Sequence, residues 1–122
     1  MQSLNLKKAI EIDPQFKTAH LNLGFVYYEQ GKLDEAMEEY ELAIGIDPKF
    51  ADAYSNMGLV YCEKKMFDDA IKHFEAVLDK FPRGNKVHDS RFMLGVSYHK
   101  KGESSRAIDI LQSALRSNPT AE

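Results

Sequence analysis

Apolar residues recur every three or four positions along most of the chain, as expected for amphipathic helices. Leu33, Met37, Tyr40 and Ile44 form the clearest run, and this spacing places their side chains on one side of a helix rather than on alternate faces of a strand. The pattern predicts an all-α fold with about seven helices. First helices are expected over residues 17–30, 51–64 and 86–101, and second helices over residues 33–46, 67–80 and 104–117, preceded by one further second helix near residues 3–12.

The helical pattern repeats at a nearly constant interval. Pro14, Pro48 and Pro82 lie 34 residues apart, and Pro119 follows after 37. The same two intervals separate four further sets of residues: Gly24, Gly58 and Gly95; Tyr27, Tyr61 and Tyr98; Ala36, Ala70 and Ala107; Tyr40, Phe74 and Leu111. The three additional residues fall after Pro82, where 83–85 (Arg-Gly-Asn) are typical turn residues.

The order Leu-Gly-x-x-Tyr, then Ala-x-x-x-aromatic, then Pro at this period resembles the tetratricopeptide repeat (TPR) family. The resemblance covers essentially the whole chain and implies a right-handed α-solenoid of antiparallel helix pairs in one domain, residues 1–122. The domain divides into a half repeat (1–16), a repeat (17–50), a repeat with a three-residue insertion (51–87) and a last repeat (88–122). His20, Tyr54 and Arg91 replace the family's tryptophan.

Residues at the helix ends predict the shapes of the turns. Gly31 and Gly102 follow first helices, where a positive φ is common and glycine adopts it without a Cβ clash. Lys65 occupies the equivalent place in the middle repeat, so that turn is expected either to be strained by about 1 kcal/mol or to take another shape. The pairs Asp13-Pro14, Asp47-Pro48 and Asn118-Pro119 are expected to end the second helices.

Three glycines interrupt the first helices, where each costs about 0.5–1 kcal/mol relative to alanine. A cost that recurs in every repeat indicates a recurring close approach between helices. We expect Gly24, Gly58 and Gly95 to face Ala36, Ala70 and Ala107, with Tyr27, Tyr61 and Tyr98 filling the space beside them.

The resemblance to the family also implies a concave groove, lined mainly by first helices, that receives a peptide or a helix of another protein. The candidate binding residues on this face are Leu21, Asn22, Phe25, Tyr28, Glu29, Asp52, Ser55, Asn56, Leu59, Cys62, Glu63, Phe92, Val96 and His99. Thr18, Asp89, Met93 and Lys100 lie on the same predicted face.

Two features of this face suggest the chemistry of its ligand. The large apolar residues Leu21, Phe25, Leu59, Phe92 and Val96 form either an apolar anchor site or the packing between adjacent first helices. The acids Glu29, Asp52, Glu63 and Asp89 outnumber the single Lys100. They favour a protein or peptide ligand with apolar anchors and some positive charge, or else they form only a solvated acidic face.

Asn22 and Asn56 hold equivalent places, 34 residues apart. A side-chain amide both donates and accepts, so it can pair with the peptide units of an extended ligand. In some TPR superhelices asparagines here form a ladder, although asparagine is also simply common at this place in the family.

The basic residues with which co-chaperones of the family clamp a C-terminal carboxylate fall here on Leu21, Asp89 and Met93, so recognition of chaperone tails is not expected.

Composition narrows the remaining functions. The chain has 122 residues, 43% hydrophobic and 29% charged, with a net charge of -3, as in an ordinary globular domain. Without a basic stripe, nucleic-acid binding is not expected, and without about 20 consecutive apolar residues neither is membrane insertion. A single cysteine forms no internal disulfide, and a cytoplasmic location is the expectation.

No catalytic, metal or cofactor site is predicted. Cys62 and His99 occupy equivalent groove places on neighbouring first helices, and a cysteine beside a histidine is a nucleophile arrangement in principle. No residue is in a position to orient the histidine, however, and the four histidines lack the spacing of metal ligands. The chain is therefore expected not to be an enzyme.

The leading functional hypothesis is a non-catalytic protein-protein interaction module. Two alternatives stay open. The first is a self-associating structural scaffold, a homo-oligomer that pairs through uncapped ends where Leu4, Ile10, Ile108, Leu111 and Leu115 are partly uncovered. The second is the targeting arm of a larger multidomain protein or enzyme, of which this chain is a fragment.

Overall fold

The structure, a computed structural model, describes residues 2–117. Within them the chain forms seven α-helices: α1 (Gln2–Ile12), α2 (Lys17–Glu29), α3 (Leu33–Ile46), α4 (Ala51–Glu63), α5 (Phe67–Lys80), α6 (Val87–Lys101) and α7 (Ser104–Ser117). The bounds of α3, α5 and α7 are those predicted from the sequence, and those of α2, α4 and α6 differ by one residue at one end. The predicted all-α fold is confirmed.

The helices stack so that the first helices share one side of the molecule. Each helix packs against the next in the chain, and in addition α2 contacts α4 and α4 contacts α6. In the described part of the chain, the second helices α3, α5 and α7 make no such contact with one another. A stack whose first helices approach more closely than its second helices curves toward the first helices, which therefore line its concave side.

The core consists of two buried clusters that join one repeat to the next. One unites α3 with α4 and contains Ala36, Met37, Tyr40, Met57 and Val60. The other unites α5 with α6 and α7 and contains Ala70, Ile71, Phe74, Leu94, Tyr98 and Ala107. Because each cluster spans a boundary between helix pairs, the stability of the solenoid depends on interfaces between neighbours.

Each helical glycine of the first helices lies against a large side chain of the following second helix. A Cβ at Gly24 would stand 2.6 Å from the Tyr40 ring, one at Gly58 2.7 Å from the Phe74 ring, and one at Gly95 2.7 Å from Leu111. The expected close approach is present, but its main partner differs from the prediction. The facing alanines contribute only backbone, as with the Ala36 carbonyl oxygen 3.2 Å from the Gly24 position.

All three turns between paired helices share one left-handed geometry. Gly31 has a φ of 79°, Gly102 one of 103° and Lys65 one of 61°. In each turn the next amide donates to a carbonyl five residues earlier, as in the 2.8 Å bond from Met66 N to Tyr61 O, which is the Schellman arrangement. The middle repeat therefore takes the strained alternative of the two that the sequence left open.

Aspartate-proline pairs end the second helices as predicted. The helix α3 stops at Ile46, and Asp47 is extended, with a φ of -134°. The Asp47 side chain accepts from the amide of Lys49 at 3.0 Å, and that of Asp13 accepts from the amide of Gln15 at 3.1 Å. The hydrogen bond from the Lys17 ammonium holds the pKa of Asp47 below its ordinary value. The predicted pair Asn118-Pro119 lies outside the described residues.

His20 fills the family's tryptophan position with a polar ring. The ring is buried, yet both of its nitrogens have partners: Nε2 donates to the Pro14 carbonyl at 2.8 Å, and Nδ1 lies 2.8 Å from a Glu39 carboxylate oxygen. A buried polar group with partners avoids the usual cost of desolvation. His20 thus ties the turn between α1 and α2 to α3.

Replacing Gly58 by alanine tests the glycine contacts. The Phe74 ring is fully buried and cannot move aside, so overpacking of about 1–3 kcal/mol outweighs the gain of about 1 kcal/mol in helix propensity. We expect Gly58→Ala to lower the free energy of unfolding by about 1 kcal/mol, measured by urea denaturation.

Gly45→Ala is the matched control, because an added Cβ at this helical position meets nothing within 4 Å. It should leave stability unchanged or raise it by up to about 1 kcal/mol. Equal stability of Gly58→Ala and the natural chain would contradict the assignment of Gly58 to this contact.

Candidate functional site

The predicted binding residues lie on the concave side, on α2, α4 and α6, but they differ in exposure. Asn22, Phe25, Glu29, Glu63, Phe92 and His99 are exposed, and Leu21, Tyr28, Asp52, Asn56, Leu59, Cys62 and Val96 are half-buried. Ser55 is buried.

Four of the five apolar residues of this face divide between the two roles that the sequence left open. Leu21 and Leu59 pack against the core clusters and therefore belong to the packing between helices. Phe25 and Phe92 are 43% and 55% exposed. The Phe25 ring is stacked on that of Tyr28, with a centroid separation of 6.2 Å.

Contrary to the prediction, Ser55 does not belong to the open face. It is 6% exposed, and its hydroxyl oxygen lies 3.5 Å from that of Ser90 on α6. Two small residues at this point allow α4 and α6 to approach. Ser55 therefore serves the contact between first helices and is not available to a ligand.

The thiol of Cys62 is paired with a serine and not with His99. Its sulfur lies 3.3 Å from Ser97 Oγ, and Ser97 donates its own hydrogen to the Met93 carbonyl at 2.7 Å. The thiol is therefore the donor in this contact. Burial raises the pKa of the Cys62 thiol, which is the opposite of what an activated nucleophile requires.

The two asparagines expected to form a ladder have different surroundings. The side chain of Asn56 hydrogen-bonds the hydroxyl of Tyr40, whose pKa burial raises above its ordinary value. The residue equivalent to Tyr40 in the preceding helix is Leu6, which has no hydroxyl, and Asn22 is exposed. Asn56 thus has a structural partner that Asn22 lacks.

Four of the predicted residues meet in one cavity on the concave side, near the C-terminal ends of the first helices. This groove pocket has a volume of about 280 Å³ and is lined by Tyr28, Leu59, Cys62, Glu63, Lys65, Phe67, Met93 and Lys100. Lys65 and Phe67 belong to the turn after α4 and the start of α5, so a map of first helices alone missed them. The sequence feature that could have indicated them is the lysine at position 65, where the other repeats have glycine.

The residues that line the groove pocket carry more positive than negative charge. Glu63 is the one acidic residue that lines it, against Lys65 and Lys100. Asp68 and Asp69 line the adjoining cavity, which shares both lysines. Neighbouring lysines are paired: Lys64 with Asp34, and Lys101 with Asp68 and Glu103. No such ion pair involves Lys65 or Lys100 within the part of the chain that the structure describes. Burial, and secondly the charge of Glu63, raise the pKa of Tyr28.

Across residues 2–117, no group of three or more His, Cys, Asp or Glu side chains is placed to hold a metal ion. Over the same described span, no helix is both long enough and apolar enough to cross a membrane.

The raised pKa of Cys62 predicts slow alkylation of the folded chain. Because the thiolate is the reactive form, a raised pKa lowers the reactive fraction near pH 8. Iodoacetamide should modify Cys62 more slowly in the folded chain than in urea, and the folded rate should reach half its maximum at a higher pH. Mass spectrometry follows the reaction. A folded rate equal to or above that in urea would contradict the described environment.

The chain matches two family models. The model described as TPR repeat matches residues 4–31 and 26–65, and the model described as Tetratricopeptide repeat matches residues 49–119, more than half of the chain. No curated protein matches it.

Solved structures share the fold. MamA protein, known from a crystal structure, is 26% identical in sequence, with a TM-score of 0.83 over 96% of this chain and 62% of that one. YrrB, described as a TPR protein with an unusual peptide-binding site, is 28% identical, with a TM-score of 0.79 over 95% of this chain and 58% of its own. The N-terminal domain of stress-induced protein-1 from C. elegans, 24% identical with a TM-score of 0.74 over 82% of each chain, shares the fold.

The present chain thus spans about three fifths of the MamA and YrrB chains. The repeated glycine contacts, the three equivalent turns and the family match over residues 49–119 lead to one conclusion: the chain belongs to the tetratricopeptide repeat family.

Proposed function

We propose that the concave face of α2, α4 and α6 binds a peptide or helix of a partner protein. TPR repeats are protein-protein interaction modules, and the similar protein YrrB is described as having a peptide-binding site. Both support the proposal at the level of the fold. The support specific to this chain is the exposure of large apolar side chains on the face where such a ligand would lie.

Phe25 and Phe92 are the observation that carries the proposal. They are 43% and 55% exposed, whereas the other apolar residues of the face are at least half-buried. Burying a fully exposed phenylalanine contributes about 1.5–3 kcal/mol, so covering the exposed part of Phe25 or Phe92 contributes about half of that. Aromatic anchors dominate many interfaces. Two such residues would supply a substantial part of the free energy of binding.

Charges on the same face suggest an orientation for the ligand. Asp52 and Asp89 lie in the first turns of α4 and α6, at the opposite ends of these helices from Glu63 and Lys100. They support the proposal that the part of the ligand over these first turns carries positive charge. Salt should then slow association with such a ligand.

We further propose that the module is non-catalytic. The pairing of Cys62 with Ser97, together with the raised pKa of its thiol, supports this. The same binding face would also suit the targeting arm of a larger protein or enzyme.

A double substitution tests the binding face. Peptides are selected from a random twelve-residue display library on the natural chain, and their affinities are measured by fluorescence anisotropy. We expect Phe25→Ala with Phe92→Ala to weaken binding at least about tenfold, because two apolar anchors are truncated.

The matched control is Phe16→Ala with Leu42→Ala, which removes two side chains of similar exposure, 45% and 50%, outside the first helices. The control should bind within about twofold of the natural chain, the range that residues outside a contact usually show. Circular dichroism checks that both variants fold. Unchanged affinity of the phenylalanine variant would refute the proposed face.

Self-association is a second proposal, supported by apolar residues on α7. Ile108 is 54% and Leu115 64% exposed, and their spacing of seven residues places them on one side of the helix. Light scattering at increasing concentration should show a rising mass that Ile108→Ser with Leu115→Ser abolishes. A mass that stays monomeric at all concentrations would rule this out.

A further inference from the structure

We propose that the groove pocket binds a large apolar side chain of the partner together with an acidic residue beside it, whose carboxylate pairs with Lys65 and Lys100. This inference rests on the proposed function, because it assigns a ligand to one part of the same face. The sequence led to the expectation of a positively charged ligand. Under this proposal the positive charge of the ligand lies only over the N-terminal ends of the first helices, and its acidic residue lies at their C-terminal ends.

Five of the eight residues that line the groove pocket are uncharged, and three of these five pack against the core. Leu59, Cys62 and Met93 pack against the buried cluster around Phe74, and Phe67 closes the side toward α5. The volume of about 280 Å³ falls just below the range of about 300–1,000 Å³ usual for small-molecule sites. A cavity of this size suits one large side chain better than a metabolite.

The charge of the groove pocket indicates which residue of the ligand lies next to its apolar side chain. Two lysines and one glutamate line it, and neither lysine is in an ion pair within the described residues, in contrast to Lys64 and Lys101. The charge of Lys100 also acts on Cys62, where it lowers the pKa that burial raises. An acidic residue of the ligand would meet two unpaired ammonium groups, and charge-assisted hydrogen bonds are the stronger kind.

The backbone at Lys65 supports a role beyond folding. Its φ of 61° is a conformation that glycine adopts without penalty and lysine does not, and the two equivalent turns have Gly31 and Gly102. Strained residues of this kind cluster at functional sites. Lysine at this position lowers stability relative to glycine, and its side chain lines the groove pocket.

The distance along α4 from Asp52 to the groove pocket gives a spacing for the ligand. From Asp52 to Cys62 there are ten residues of helix α4, or about 15 Å at 1.5 Å per residue. An extended peptide covers this distance in about five residues. The ligand is therefore expected to carry its basic residue about five positions from the acidic residue.

Selection from a peptide library tests the proposal. Random twelve-residue peptides are displayed within a loop, so that no free C-terminal carboxylate is present, and are selected on the natural chain. We expect enrichment of Leu, Phe or Met within two positions of Asp or Glu. Selection on Lys65→Glu with Lys100→Glu should instead enrich Lys or Arg at that place, and peptides selected on the natural chain should bind this variant at least about tenfold more weakly.

Lys49→Glu with Lys72→Glu is the matched control, because it makes the same change of charge at exposed lysines outside the groove pocket. Its affinity should stay within about twofold. Basic residues beside the apolar anchor in the natural selection, or the same enriched sequences on the charge-reversed variant, would overturn the inference. If binding still depends on Phe25 and Phe92, the proposed function survives that result. If no peptide is enriched at all, both fail.

Lys65→Gly distinguishes the effect of Lys65 on stability from its effect on binding. It should raise the melting temperature by about 5 °C, because the strain is relieved, and should weaken binding of an acidic peptide several-fold. Lys65→Arg keeps the charge and should keep the affinity. A Lys65→Gly variant that is more stable and binds acidic peptides as tightly as the natural chain would refute a role for Lys65.

Discussion

The contact between a helical glycine and a large side chain of the next helix is the constraint on which the structure depends. It occurs in all three repeats, between Gly24 and Tyr40, Gly58 and Phe74, and Gly95 and Leu111. A Cβ at any of the three would overlap the neighbouring side chain, so the helices of a pair can reach their observed separation only around glycine. The cost in helix propensity recurs because the contact recurs.

This contact also determines where a ligand can bind. The second helices bury their large residues against the first helices, as the full burial of Phe74 shows. The first helices then pack against one another through small residues such as Ser55 and Ser90, and their outward side chains form a continuous concave face. Phe25 and Phe92 remain exposed there because the buried contacts of α2 and α6 are made by other residues of these helices.

The middle repeat departs from its neighbours at two points, and both lie close to the groove pocket. Lys65 replaces glycine in a left-handed turn, and Cys62 lies against Ser97 on the neighbouring helix. The first departure lowers stability, and the burial of Cys62 beside the neighbouring helix raises the pKa of its thiol. Both side chains line the same cavity, so the groove pocket is distinct from the corresponding places in the flanking repeats.

The sequence by itself determined the helices and their pairing, and it predicted most of the residues of the concave face. Periods of three to four residues and of 34 residues are properties of the chain, and proline and glycine act on the backbone locally. Only the tertiary structure decided which residues of that face are open, because burial depends on the neighbouring helix: Ser55 is covered by α6, whereas Phe92 is not. It also brought Lys65 and Phe67 together with Met93 across three helical elements, since a cavity between elements has no counterpart in local sequence.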